Sequence, residues 1–170
     1  MNVFKNRQQM EREKKKNGFC IHTEIQINET PENTWKILED FTNYPHWNPF
    51  MKMVKGEVKV GNRITVRVVP QGEKGMTFKP KVLTFERNKE IRWIGHLIIP
   101  GLFDGEHQLL LIDNNNGTTT FKQSEKFNGL LVPFFKFENT RLGFEAMNRE
   151  FKKVVENLSP RIEKNITFTT

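Results

Sequence analysis

The strongest constraint on the fold is a change in hydrophobic period near residue 130. Before it, short strand-like runs follow one another, and after it one apolar stripe repeats at helical spacing. Seven such runs are separated by turn residues: 19–28, 51–60, 63–69, 76–86, 90–99, 103–112 and 118–127. Consecutive short strands favour an antiparallel meander. A sheet with one apolar face then needs a long element to cover it.

The segment long enough to cover such a sheet is a predicted helix from Pro133 to Leu158, which Ser159-Pro160 should end. Its apolar stripe consists of Phe137, Thr140, Phe144, Met147, Phe151, Val154 and Leu158. Gly143 inside this helix costs about 1 kcal/mol relative to alanine. It therefore indicates a close approach of the helix backbone to the sheet or a ligand, or else a tolerated bend.

One or two short helices are predicted between the first two strand-like runs. Thr30 can cap a helix whose first position is Pro31, and Tyr44-Pro45 and Asn48-Pro49 are expected to stop it. We therefore predict an α+β fold. A seven-stranded, curved antiparallel sheet surrounds a long C-terminal helix, with one or two short helices after strand 1.

The charge is concentrated at the N-terminus. Residues 1–17 hold six Lys or Arg and two Glu, which gives +4 of the net charge of +7. We predict a flexible basic extension over 1–17, one ligand-binding domain over 18–159 and a tail over 160–170. The rest of the chain is only mildly basic, and the extension lacks interleaved aromatic residues. We therefore expect no nucleic-acid partner.

Other classes of site lack their signatures. Cys20 is the single cysteine, so no intramolecular disulfide can form and a reducing compartment is favoured. No apolar run approaches 18 residues and no secretory signal is recognisable, so we expect a cytoplasmic protein without a membrane span. The four histidines show no metal-ligand spacing, and no nucleotide-binding loop occurs. We expect no metal, no cofactor, and a monomer or weak homodimer.

Several motifs together resemble one superfamily over residues 19–158. They are Thr30-Pro31 with Trp35, Tyr44-Pro45-His46-Trp47-Asn48-Pro49-Phe50, Phe78-Lys79-Pro80, Trp93-Ile94-Gly95, and the segments 101–107, 123–125, 129–133 and 143–148. The chain resembles the START-related, polyketide cyclase and birch-pollen-allergen-like superfamily (SRPBCC), in particular a bacterial subgroup. The resemblance implies the helix-grip fold and a cavity for a hydrophobic small molecule. For some relatives it implies cyclisation or dehydration of a polyketide.

Strand alternation brings two ionisable side chains together. If residues 115–117 form a three-residue loop, Asn114 pairs with Thr118, and counting back places His107 opposite Glu125. Both would point inward from neighbouring strands. Such a pair can transfer a proton, or it can serve as a polar pair that supports the sheet or orients a ligand.

We predict that a hydrophobic ligand contacts a set of inward side chains. These are Trp47, Phe50, Phe78, Val82, Trp93, Phe103, His107, Leu109, Phe121, Gln123, Glu125, Phe127, Phe137 and Phe144. The main hypothesis is a binding protein for a lipid-like or polyketide-like molecule, held between sheet and helix, with no catalytic residue. The first alternative is a cyclase or dehydratase that uses His107 and Glu125. The second is an adaptor that acts through the basic extension.

The polarity of the cavity separates the first two hypotheses. An enzyme that acts on a polyketide should carry several convergent polar groups, whereas the predicted inner face shows mostly apolar side chains and one polar pair.

Overall fold

The computed structural model describes residues 18–97 and 99–166, with side chains as far as Asn157. The elements are β1 (Gly18–Ile27), α1 (Pro31–Leu38), α2 (Tyr44–Trp47), β2 (Met51–Lys55), β3 (Thr65–Val68), β4 (Met76–Phe78), β5 (Lys81–Glu86), β6 (Glu90–His96), β7 (Asp104–Asp113), β8 (Thr119–Asn128), a 3-10 turn (Val132–Phe134) and α3 (Glu138–Ile166). The predicted α+β class is confirmed. The predicted basic extension, residues 1–17, lies outside the described residues.

The strands form two antiparallel sheets where the sequence predicts one. The large sheet has the order β1-β8-β7-β6-β5 and the small sheet has the order β2-β3-β4. The predicted strand over 76–86 is divided at Lys79-Pro80, since proline cannot donate a hydrogen bond to a β-ladder. A bridge between Arg63 and Lys81 connects the two sheets at this division.

The register between β7 and β8 is the one that the loop predicts. The Asn114 N–H donates to the Thr118 carbonyl at 3.1 Å, and Gly117 lies in the left-handed region with φ of 80°. His107 is therefore paired with Glu125 across the two strands. This part of the prediction is confirmed.

The structure confirms only part of the prediction for the short helices. Thr30 caps α1, and its hydroxyl accepts from the Asn33 N–H at 3.4 Å. The expected stop at Tyr44-Pro45 is wrong, because α2 begins there with the proline in its first turn. A proline in the first turn needs no intrahelical donor, so this position favours a helix start.

The long helix is displaced along the sequence relative to its prediction. A 3-10 turn at Val132–Phe134 is followed by Phe135 in an extended conformation, so α3 begins at Glu138. The predicted end at Ser159-Pro160 is also wrong, because α3 runs to Ile166. A proline biases the preceding residue away from the helical conformation but does not exclude it.

Helix α3 packs on β1 and α1, and the main core lies at this contact. The largest fully buried side chains are Trp35, Tyr44, Phe121, Phe144 and Phe151. Gly143 lets the ring of Phe50 approach the helix backbone, because a Cβ atom there would stand 2.3 Å from the Phe50 Cδ2 atom. The close approach that Gly143 indicates is thus to a side chain from the segment before β2.

Candidate functional site

A partly enclosed cavity of about 230 Å³ lies at the N-terminal end of α3. Its wall comes from the inner face of β6, β7 and β8, from the small sheet, and from the segment that leads into α3. The sequence predicts a ligand site between sheet and helix, and the cavity lies at the N-terminal end of that helix.

Two paired glycines lie beneath the cavity on the inner side of the large sheet. Gly95 of β6 pairs with Gly105 of β7, and the next pair on the same face of the sheet is Trp93 with His107. Large side chains fill the space above the sheet from Trp93 onward, whereas the glycine pair contributes none. Above Gly95, a Cβ atom would have only Pro80 Cβ within 4 Å, at 3.7 Å. The backbone of this glycine pair is thus the floor of the cavity, with open space above Gly95.

Phenylalanine rings form much of the wall beside this floor. The Phe127 and Phe137 rings stack with their centroids 4.3 Å apart, and the Phe103 and Phe135 rings are tilted with their centroids 4.4 Å apart. Phe137 also stacks on Phe19 of β1 at 4.6 Å. Rings in such clusters offer large apolar area in defined geometry, which suits a flat apolar ligand.

His107 is held tightly by aromatic neighbours. Its ring lies parallel to Trp93 at a centroid distance of 5.4 Å and meets the edge of Phe144 at 5.0 Å. The side chain is 6% exposed. Its Nε2 atom is buried and has no hydrogen-bond partner among the described residues. A buried nitrogen without a partner carries a desolvation cost that a ligand could remove.

Glu125 stands beside this imidazole, with its carboxylate over the glycine floor. Its Oε2 atom lies 3.6 Å from the His107 Nδ1 atom, a contact that is longer than a hydrogen bond. A Cβ atom on Gly105 would stand 2.8 Å from the Glu125 Oε1 atom. Gly105 therefore provides the space that the carboxylate occupies.

Two other ionisable side chains of the wall are engaged elsewhere. Glu73 accepts a hydrogen bond from Asn139 at 2.6 Å. His96 Nδ1 lies 2.6 Å from the carboxylate of Asp104, which also accepts from the Gly101 N–H. Of these groups, Glu125 lines the cavity without a hydrogen-bond partner among the described residues, whereas the Nε2 atom of His107 is buried.

Eight of the predicted ligand-binding residues line the cavity: Phe50, Phe78, Trp93, Phe103, His107, Glu125, Phe127 and Phe137. The other six do not line it: Trp47, Val82, Leu109, Phe121, Gln123 and Phe144. Several of these are covered by α3. Phe121 packs on Phe151 at 4.8 Å, and Gln123 donates to Asn148 and to the Phe144 carbonyl.

The wall also contains residues outside the predicted set: Met51, Val66, Val68, Pro70, Glu73, Met76, Pro80, Gly95, His96, Leu97, Gly105, Phe135, Lys136 and Thr140. Val66 and Val68 could have been found, because they alternate in a strand-like run. Phe135 and Lys136 gave no such signal, since they fall where the periodicity predicts helix.

Within residues 18–97 and 99–166, no group of three or more His, Cys, Asp or Glu side chains could hold a metal ion. No helix in this part of the chain is long and apolar enough to cross a membrane.

Comparison with known families gives one match. The family described as polyketide cyclase / dehydrase and lipid transport matches residues 19–163. No curated protein sequence matches the chain.

Solved structures share the fold at low sequence identity. A START superfamily protein from Mycobacterium smegmatis is 18% identical with a TM-score of 0.64, over 82% of this chain and 98% of that one. The Zhui aromatase/cyclase from Streptomyces sp. R1128 is 12% identical with a TM-score of 0.61, over 84% and 96%. Norcoclaurine synthase from Thalictrum flavum, in complex with dopamine and hydroxybenzaldehyde, is 14% identical with a TM-score of 0.59, over 81% and 86%. These likenesses confirm the helix-grip fold.

Proposed function

The chain belongs to the polyketide cyclase, dehydrase and lipid transport family of the SRPBCC superfamily, and we propose that it binds one compact hydrophobic molecule. The observation that supports this is a largely aromatic cavity whose wall includes one polar pair, His107 and Glu125. Ligand sites are usually apolar concavities with a few placed polar groups. The volume of about 230 Å³ is below the roughly 300–1,000 Å³ of drug-sized sites, so the enclosed part of the ligand is about one or two rings.

His107 and Glu125 are the polar anchor in this proposal. Trp93 and Phe144 fix the imidazole plane, and Gly105 leaves room for the carboxylate. The ligand's apolar body then lies between the glycine floor and the stacked rings around Phe137. Because two aromatic rings already hold the His107 side chain, it loses little conformational freedom when a ligand binds, which favours affinity.

An acid/base enzyme of the cyclase or dehydratase type is the second candidate. The side-by-side placement of His107 and Glu125 favours it, because apo catalytic contacts are often long and tighten with substrate. Glu73 and His96 have partners of their own and Lys136 is exposed, so these groups do not converge on a reacting atom. Binding without turnover therefore has the better support. The adaptor hypothesis concerns residues 1–17, outside the described residues.

Calorimetric titration with 2-naphthol, a two-ring probe, tests the proposed function. We expect one saturable site per chain. Phe137→Ala should weaken binding at least about tenfold, or about 1.4 kcal/mol, because Phe137 lines the wall. Phe134→Ala is the matched control, since Phe134 lies on the same segment but is 81% exposed. Absence of saturable binding, or equal loss in both variants, would contradict the proposal.

A further inference from the structure

The open polar atoms of the cavity have a defined hydrogen-bonding sense. An ionised carboxylate accepts hydrogen bonds and cannot donate them. Glu125 Oε2 lies 3.6 Å from His107 Nδ1, beyond hydrogen-bond distance. The carboxylate therefore keeps its capacity to accept hydrogen bonds from a ligand. The other ring nitrogen, His107 Nε2, is buried and has no partner among the described residues.

The carboxylate of Glu125 is the acceptor that the cavity offers. Glu125 Oε1 stands over Gly105, on the floor of the cavity. No side chain of the described residues donates a hydrogen bond to this carboxylate. Oε1 is thus an open acceptor, beside the imidazole of the paired residue His107.

We propose that this cavity selects ligands that present a hydrogen-bond donor, a hydroxyl or an amine, and discriminates against carboxylates and other anions. The proposal rests on the proposed function and goes beyond it by assigning the chemical class of the ligand's polar end. A hydroxyl or an amine donates a hydrogen bond to the Glu125 carboxylate, which has no donor among the described side chains. An anion adds a second negative charge beside Glu125 in surroundings that are mostly aromatic.

The charged side chains of Lys136 and Glu73, which also line the wall, do not reverse this selectivity. Lys136 lines the wall but is exposed, so water screens its ammonium group. Glu73 lines the same wall and carries the opposite charge. Repulsion from Glu125 is screened less, because its side chain is only 19% exposed and sits among aromatic rings.

Three probes of the same two-ring shape test the proposal: naphthalene, 2-naphthol and 2-naphthoate. At neutral pH we expect the wild type to bind 2-naphthol at least about tenfold more tightly than 2-naphthoate, or about 1.4 kcal/mol. It should also prefer 2-naphthol to naphthalene. In Glu125→Gln the preference over 2-naphthoate should shrink to less than about threefold, because the charge is removed while an acceptor is kept.

Glu24→Gln is the matched control for the change in net charge. Glu24 lies on the outer face of β1 with its side chain 64% exposed, paired with Lys122, and the wild-type preference should persist in this variant. If all three probes saturate and 2-naphthoate binds the wild type as tightly as 2-naphthol, the donor selectivity is overturned while the proposed function stands. If none saturates, the proposed function fails and the selectivity with it. The wild-type ratio decides the matter even if Glu125→Gln fails to fold.

Discussion

Substitution of Gly95 by valine should stabilise the protein and block its ligand site. The space above Gly95 is unfilled, because a Cβ atom there meets only Pro80, at an ordinary contact distance of 3.7 Å. Removing a strand glycine gains about 0.5–1 kcal/mol. Each further carbon that becomes buried adds up to about 0.8 kcal/mol. Because the added carbons are only partly buried, the free energy of unfolding should rise by less than the full sum, about 1–2 kcal/mol.

The same side chain removes space that a ligand needs. Its three carbons, each taken as about the 30 Å³ of a water molecule, would occupy roughly 90 Å³. The cavity holds about 230 Å³. Binding of 2-naphthol should weaken at least about tenfold.

Urea denaturation and calorimetry of the wild type, Gly95→Ala and Gly95→Val measure both effects. Alanine adds one carbon and serves as the graded control, with a smaller loss of affinity. If Gly95→Val is less stable than the wild type by more than about 1 kcal/mol, the space above Gly95 is not open. If Gly95→Val binds 2-naphthol unchanged, the ligand lies elsewhere.

Three further changes test the supporting structure. Gly143→Ala should lower stability by about 1 kcal/mol in urea denaturation, because overpacking against Phe50 outweighs the helix propensity gained; a stabilised variant would contradict the contact. Thr30→Ala should cost about 1 kcal/mol through loss of the α1 cap, and an unchanged denaturation midpoint would argue against that cap. Hydrogen bonds from Thr42 and Asn43 lower the pKa of Asp40, so the folded state binds its proton less readily and Asp40 contributes stability that is lost as pH falls through the folded pKa. Asp40→Asn should then be less stable than the wild type at neutral pH and approach it at low pH, whereas a constant difference across pH would contradict this linkage.

The pairing of His107 with Glu125 could be predicted from the sequence because two local rules determine it. Side chains alternate along a strand with period two, and Gly117 fixes the loop through its positive φ. No knowledge of the rest of the fold is needed. The register follows from residues that are close together in the chain.

The position of the cavity could not be predicted in the same way. Alternation indicates which face a side chain occupies, but not whether α3 covers it at that point along the strand. Phe121 and Phe127 share one face of β8, yet Phe121 lies in the core under α3 and Phe127 lines the cavity. Gly95 and Gly105 both occur in the sequence motifs. Only the register between β6 and β7 shows that they are paired.

A structure of the protein in complex with 2-naphthol tests the central claim most directly. We expect the rings between the Gly95–Gly105 floor and Phe137. The hydroxyl should lie within hydrogen-bond distance, about 2.5–3.0 Å, of Glu125 Oε1. A probe bound outside this cavity, or a cavity closed by the surrounding side chains with the probe excluded, would contradict the account.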